Sequence, residues 1–211
     1  MICFPIVVPG SPWANGYLVW DEESGQAYAI DPDVTGGLLE ATLERQKLAL
    51  CGILLTHGHF DHIASVRALK RKYPQAWLAI HRLDAEKLTD SQANLSAWQG
   101  QVITAPAADR LLEEGEELHL GGASLRVIHT PGHTPGSVCF YAPGYLFSGD
   151  TLFCMGVGRW DFPGGDGQAL ISGIQKKLMV LPDGTQVFPG HGPATTIGAE
   201  RMGNPYLEAG Q

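Results

Sequence analysis

The chain has 211 residues, of which 44% are hydrophobic, and a formal net charge of −8. This length and apolar content are enough for a globular protein with a substantial core. The acidic balance argues against a nucleic-acid partner, because no basic run exceeds Lys70-Arg71-Lys72. The four cysteines lack a CxxC spacing, which favours neither a disulfide framework nor a zinc ribbon.

No segment has the features of a signal peptide or a membrane span. The N-terminal apolar stretch lacks a basic start and is interrupted by Pro5, Pro9 and Pro12. No apolar run approaches the roughly 20 residues that are needed to cross a bilayer. We therefore expect a soluble protein of the cytoplasm with no membrane partner.

The start of the chain is predicted to form short strands followed by a helix. A turn at Pro9–Pro12 separates the first two of three predicted strands, which are Ile2–Val8, Gly16–Trp20 and Gln26–Ile30. Asp31 follows the third strand and is interpreted either as a partner of a metal-bound His or as an ordinary turn residue. The spacing of Leu39, Leu43 and Leu48 predicts a helix over Leu38–Leu48.

A dense group of metal-capable side chains follows the next strand. The apolar run Cys51–Leu55 predicts a strand buried on both faces, and Thr56-His57-Gly58-His59-Phe60-Asp61-His62 comes directly after it. Open α/β sheets place ligands at such carboxyl ends of buried strands. Imidazole and carboxylate groups suit zinc and its first-row neighbours. The alternative is a polar turn in which Asp61 caps the following helix.

The middle of the chain is predicted to contain a helix over Ile63–Tyr73 and a strand over Trp77–His81. The segment Ser91–Asp109 contains Trp98 and lacks periodicity, so we interpret it as a loop that covers the site. His81 and His119 are interpreted as structural or surface residues.

Strands dominate the second half, and three more site candidates follow strands. The predicted elements are a helix over Gln168–Met179 and strands over Glu117–Leu120, Ser124–His129, Ser137–Tyr141, Tyr145–Gly149 and Gln186–Phe188. His133 lies in a turn stiffened by two Pro and two Gly, Asp150 directly follows a strand, and His191 lies in Pro189-Gly190-His191-Gly192-Pro193. Because these contexts match that of the first group, the seven residues are predicted to converge on one cleft.

The seven residues resemble the metal motif of the metallo-β-lactamase superfamily, and the resemblance covers nearly the whole chain. It implies an α/β fold, a four-layered αββα sandwich forming one domain over residues 1–211, with metals at one edge. It also implies two divalent ions bridged by Asp150, with these ligands: His57, His59 and His133 for one ion, and Asp61, His62 and His191 for the other. Zinc is expected, with iron and manganese as alternatives.

Further segments are similar to the glyoxalase II-like thioesterases, namely Gly149–Phe153, Gly158–Asp166 and Pro189–Pro193. Beta-lactamases of the most familiar class carry a Cys at the position of Asp150, which counts against them. Two-domain glyoxalase II enzymes add a helical domain with basic residues that grip glutathione. Only twenty residues follow His191 here, so we expect that domain to be absent and glutathione to be held weakly.

The resemblance implies hydrolysis of S-D-lactoylglutathione or a similar small-molecule thioester by a hydroxide shared between two metals, with Asp61 orienting the hydroxide. Arg159 is a candidate contact for a substrate carboxylate, and the favoured alternative is that it braces its loop through Asp161 or Asp166. Several aromatic side chains are candidates for an apolar wall that contacts substrate, with core packing as the alternative for each: Phe60, Trp98, Phe153, Trp160 and Phe162.

Other functions remain open at this point. Persulfide dioxygenases of the same superfamily hold one iron through the positions that match His57, His133 and Asp150. Hydrolysis of another ester or lactone is a further alternative, and so is metal binding without catalysis.

Overall fold

A computed structural model describes residues 2–6, 11 and 13–207 of the chain. The predicted extension of the first strand to Val8 and most of the predicted turn at Pro9–Pro12 lie outside the described residues. None of the helices in the described part of the chain is both long enough and apolar enough to cross a membrane.

Two six-stranded sheets form the centre of the structure. The first has the order β1-β2-β3-β4-β5-β6, with strands Ile2–Ile6, Gly16–Trp20, Gln26–Ile30, Ala49–Leu54, Trp77–His81 and Arg110–Leu112. The second has the order β14-β13-β10-β9-β8-β7, with strands Thr195–Thr196, Gln186–Pro189, Tyr145–Gly149, Val138–Ala142, Ala123–His129 and Glu117–Leu120. A small hairpin pairs β11 with β12, which are Leu152–Phe153 and Gly156–Val157.

Helices cover the outer face of each sheet. The α-helices α1 to α5 are Leu38–Arg45, Phe60–Ile63, Val66–Lys72, Gly167–Gly173 and Ile197–Gly203. Tighter 3₁₀ turns lie at Thr35–Gly37, Arg82–Leu88 and Ser96–Gln99, and α4 continues as a wider π-helical segment over Ile174–Leu178.

Three clusters of buried apolar side chains separate four layers. The first cluster packs α1 and α3 against one sheet and includes Leu39 and Ile53. The second lies between the sheets and includes Leu54 and Phe140, and the third packs α4 against the other sheet through Leu170. Ile53 and Leu54 are adjacent in β4 but belong to different clusters, because successive strand residues point to opposite faces. The predicted αββα sandwich is confirmed, as is burial of β4 on both faces.

Two predicted helices have different bounds in the structure. The helix predicted over Leu38–Leu48 ends at Arg45, because Lys47 adopts a left-handed conformation with φ 56°. The helix predicted over Ile63–Tyr73 is interrupted at Ser65, whose hydroxyl accepts a hydrogen bond from Val34 N at 3.1 Å. Asp61 lies inside α2, whose N-cap is His59, so the alternative that Asp61 only caps a helix is wrong.

Strand direction explains why distant residues meet at one edge. Strands β3 and β4 are parallel, so their carboxyl ends lie together. In the other sheet β10 is parallel to β13, and β8 runs the same way because both β8 and β10 are antiparallel to β9. A backbone hydrogen bond of 2.8 Å from Val138 N to Thr56 O joins the two sheets at this edge.

Candidate metal centre

The seven predicted residues converge at the edge where these strands end. His133 Nε2 lies 3.2 Å from His57 Nε2, and His191 Nε2 lies 3.0 Å from Asp61 Oδ2. Their side chains form three overlapping groups with the spacing of metal ligands: His57, His59 and His133; His57, His62 and Asp150; and Asp61, His62 and His191. The predicted convergence is confirmed, although the partners are up to 134 positions apart (57 to 191) in the chain.

The first group is a triangle of three imidazole nitrogens. His57 Nε2 lies 3.1 Å from His59 Nδ1, which lies 2.9 Å from His133 Nε2. His133 Nδ1 donates to the Arg159 carbonyl at 2.7 Å, and His57 Nδ1 faces the Thr56 hydroxyl at 3.2 Å. These outer contacts place the ring proton on Nδ1 in both residues, so that both Nε2 atoms present lone pairs inward.

Burial favours the uncharged form of two members of this first group, His57 and His59. Burial lowers the pKa of His57 well below its ordinary value, and neighbouring imidazoles lower it further. Burial and then His133 lower the pKa of His59 to about 3, although Asp61 and Asp150 oppose that shift. Neutral imidazoles are the form that binds metals.

The second group mixes imidazole with carboxylate. His62 Nδ1 donates to Asp31 Oδ2 at 2.9 Å, so its Nε2 points at Asp150 Oδ1, 3.3 Å away. Burial lowers the pKa of His62, but the carboxylates of Asp31, Asp150 and Asp61 outweigh burial and hold that pKa well above its usual value. Asp31 is therefore a partner of His62, which settles one of the open alternatives; it also accepts hydrogen bonds from Thr56 N at 2.8 Å and Thr56 Oγ1 at 2.6 Å.

Asp150 lies between the two groups. One of its oxygens faces His62, and the other lies 3.6 Å from His133 Nε2 and 3.7 Å from His191 Nε2. Gly190 packs directly on it, since a Cβ at that position would lie 2.3 Å from Asp150 Oδ1 and 2.7 Å from His62 Cε1. Glycine is required there because the backbone approaches the cluster so closely.

The arrangement fits divalent ions. Four-coordinate zinc with nitrogens at about 2.0–2.1 Å requires nitrogen separations of about 3.3–3.4 Å, close to the 2.9–3.2 Å of the triangle. His62 Nε2 and Asp150 Oδ1 are buried without a well-formed hydrogen bond among the described residues, although they face each other. Only a proton or a cation between them satisfies both atoms.

A cavity of about 420 Å³ opens onto this cluster. Its floor includes cluster members, and its wall is largely apolar, formed by these side chains: Phe60, Leu95, Trp98, Phe153, Val157 and Phe162. The loop predicted to cover the site does so through Leu95, Trp98 and Gln99. Leu95 and Val157 were not among the aromatic side chains that were predicted to form the wall. Leu95 has a left-handed φ of 72° and is the N-cap of the short helix Ser96–Gln99, whose Trp98 and Gln99 line the cavity.

Two predicted substrate contacts differ in their placement. Arg159 borders the cavity, but its guanidinium forms two hydrogen bonds of 2.7 Å with Asp161 and lies 3.9 Å above the Phe162 ring. The predicted bracing of the loop through Asp161 is confirmed. Trp160 lies outside this cavity, against Tyr206, so the cavity gives no support to its predicted contact with substrate.

Asp84 is a residue that sequence reasoning missed. It is fully buried and accepts hydrogen bonds from Gly58 and from the turn that contains His133. His81, as predicted, is structural, since its ring stacks on His129 at 4.1 Å.

Comparison with known proteins places these features in a family. Residues 9–191 match the family model described as the Metallo-beta-lactamase superfamily. The chain is 40% identical over 204 residues to an uncharacterized protein of Mycobacterium leprae, with 92% of this chain and 93% of the relative covered. It is 37% identical over 198 residues to the hydroxyacylglutathione hydrolase GloC of Haemophilus influenzae, with the same coverage. A probable metallo-hydrolase of Bacillus subtilis, YqgX, is 36% identical, with 92% of each chain covered.

Solved structures agree with this placement. The B3 metallo-beta-lactamase BLEG-1 superposes with a TM-score of 0.89 at 38% identity, covering 98% of this chain and 99% of its own. TTHA1623 in a di-iron-bound form has a TM-score of 0.83 at 40% identity, with coverages of 97% and 100%. ETHE1 from Myxococcus xanthus has a TM-score of 0.79 at 29% identity, with coverages of 100% and 86%.

Proposed function

The chain belongs to the metallo-β-lactamase superfamily and is a metallo-hydrolase, and we propose that it hydrolyses acyl thioesters such as S-D-lactoylglutathione. The composition of the cavity carries this proposal. Metal-capable side chains form its floor, and none of the described residues that line it has a hydroxyl or thiol group. A nucleophilic side chain of the Ser or Cys type is therefore missing from the wall, which supports water as the attacking group.

We assign the ligands as two sets bridged by Asp150: His57, His59 and His133, and then Asp61, His62 and His191. Zinc is the proposed ion, and iron is the alternative because a similar structure is described as di-iron-bound. When bound, such ions supply water that is acidic enough to attack near neutral pH and positive charge for the substrate carbonyl oxygen.

Asp61 is the proposed acceptor for the attacking water. Its carboxylate borders the cavity and is held by His191 Nε2 at 3.0 Å. Burial raises the pKa of Asp61, but His62 and His191 outweigh burial and keep that pKa below its usual range. An ionised carboxylate in this position accepts a hydrogen bond from the attacking water and orients it. The aromatic wall, including the predicted Phe60, excludes bulk water and packs against the acyl group.

The proposal is tested by release of free thiol from acyl thioesters. Protein purified without added metal is first analysed for bound metal and is then assayed against S-D-lactoylglutathione and several simpler thioesters. We expect thiol release above that of a chelator-treated control, with restoration by the metal found in the analysis. If metal is bound but no thioester reacts, the chain binds metal without this catalysis.

Hydrolysis of a β-lactam is the second candidate. BLEG-1 is described as a metallo-beta-lactamase and is 38% identical over nearly the full length. Asp150 counts against the most familiar class of β-lactamases, which has Cys at that position. It does not count against the similarity to BLEG-1. Both reactions would use the same attacking water, so the geometry of the site does not choose between them. A β-lactam assayed in parallel with the thioesters separates the two candidates by which substrate is hydrolysed.

We predict that Arg159 contributes little to binding of glutathione. Its side chain is 58% exposed and already paired with Asp161, and exposed ion pairs contribute little. A substrate carboxylate would only replace the carboxylate of Asp161, so Arg159→Gln should change kcat/KM for S-D-lactoylglutathione at most about fivefold. The measurement compares that substrate with the lactoyl thioester of N-acetylcysteamine, which has no carboxylate. A much larger loss, confined to the glutathione thioester, would show that Arg159 binds the thiol portion.

A further inference from the structure

Asp84 joins the two turns that carry the three imidazoles of the first ligand set. It follows β5, inside the 3₁₀ segment Arg82–Leu88, and its side chain is completely buried. One oxygen accepts from Gly58 N at 2.9 Å, between His57 and His59. The same oxygen accepts from Thr134 Oγ1 at 2.8 Å, next to His133.

The second oxygen completes this link. It accepts from Gly136 N at 2.9 Å and lies 3.7 Å from Lys87 Nζ. Both glycines are packed against this segment. A Cβ on Gly58 would lie 2.5 Å from Lys87 Cβ, and one on Gly136 would lie 2.7 Å from Asp84 Cβ. One buried carboxylate thus fixes the distance between two turns that are about 75 residues apart in the chain.

None of the hydrogen bonds of Asp84 reaches the second set among the described residues. Asp31 holds His62, and Asp61 is held by His191. We propose that Asp84 is a positioning residue that sets the separation of the His57–His59 turn from the His133 turn, and thereby the affinity of the first metal site. This inference rests on the ligand assignment made under the proposed function.

The chemistry of the contacts requires a carboxylate. Two backbone N–H groups and one hydroxyl donate to Asp84, and the Lys87 ammonium lies beside it. An asparagine has only one acceptor oxygen, so its amide nitrogen would face a donor whichever way it is turned. Asp84→Asn should therefore move one turn away from the other, and ligand misplacement of this kind typically weakens metal binding 10–100-fold.

Two backgrounds separate the sites. Zinc affinity is measured by competition with a chromophoric chelator in His191→Ala, which retains the first set, and in His133→Ala, which retains the second. We expect Asp84→Asn to weaken zinc binding about tenfold or more in the His191→Ala background and less than about twofold in the His133→Ala background.

Glu200→Gln is the matched control for loss of a buried carboxylate. Glu200 is also fully buried and accepts three hydrogen bonds, from Met155 N, Thr195 Oγ1 and Asn204 Nδ2, none of them on the metal-bearing turns. Glu200→Gln should lower the melting temperature without changing zinc affinity. Equal zinc affinity in Asp84→Asn and Glu200→Gln would overturn the inference.

A milder variant covers the case in which Asp84→Asn does not fold. Thr134→Val removes one hydrogen bond to Asp84 and keeps the carboxylate. It should weaken the first site severalfold, and an unchanged affinity would contradict the proposed role. If His191→Ala with Asp84 intact holds no zinc, the ligand assignment itself is wrong.

Discussion

Replacement of His191 by alanine should lower bound metal from about two ions per chain to about one, and should slow thioester turnover about 10²-fold or more. His191 Nε2 lies 3.0 Å from Asp61 Oδ2 and 3.7 Å from Asp150 Oδ2, so its loss removes one of three ligands of the second set. A 10²-fold loss corresponds to about 2.7 kcal/mol of barrier. Metal analysis and thiol release on the same preparation measure both effects.

His133→Ala serves as the comparison. His133 belongs to the first set in the hydrolase and is also a ligand in a mononuclear dioxygenase, so its loss should damage either chemistry. Of these two residues, only His191 distinguishes the hydrolase from the dioxygenase. If His191→Ala kept its full metal content and consumed oxygen with a persulfide substrate, the hydrolase assignment would be wrong. Circular dichroism of both variants must first show a folded chain.

The position of the site could be predicted because its signals are local. His57 and His59 follow a continuous apolar strand, and His191 follows a strand through Pro and Gly. Strand ends collect at one edge of a sheet for reasons of topology. A sequence shows each end separately, and the resemblance to a known metal motif supplies their assembly.

The support of the site could not be predicted in the same way. Asp84 lies among charged residues of a short helix, where an acidic side chain is ordinarily exposed. Only the three-dimensional approach of two turns makes it a buried acceptor. The placement of Trp160 could not be predicted either. Its large aromatic side chain is of the kind that lines a cavity, but it packs against Tyr206.

Backbone strain at Asp31 is a second feature of the site that the sequence does not show. Asp31 adopts a left-handed φ of 43° and is almost fully buried. Such a conformation persists only when surrounding contacts hold it. Here those contacts are the hydrogen bonds to Thr56 and His62, and they fix the imidazole that faces Asp150.

Asp31→Asn should therefore weaken metal binding at the second site by about 10–100-fold. Asparagine tolerates the left-handed conformation, so the backbone should be preserved. If its amide nitrogen faces His62 Nδ1, that nitrogen must lose its proton, and the proton moves to Nε2, where it blocks the lone pair that a metal needs. If the amide is turned the other way, its nitrogen faces the Thr56 N–H group, and a buried hydrogen bond is lost.

Zinc titration in the His133→Ala background measures the second site directly. Asp33→Asn is the matched control, because Asp33 is buried two residues away and accepts hydrogen bonds only from Ser11 and Thr35 among the described residues. Asp33→Asn should change the free energy of unfolding but leave zinc affinity within about twofold of the parent. Because the expected loss of affinity depends on the His62 tautomer, the imidazole nitrogen resonances of His62 should also shift in Asp31→Asn. Unchanged resonances together with unchanged affinity would show that Asp31 does not set the state of this ligand.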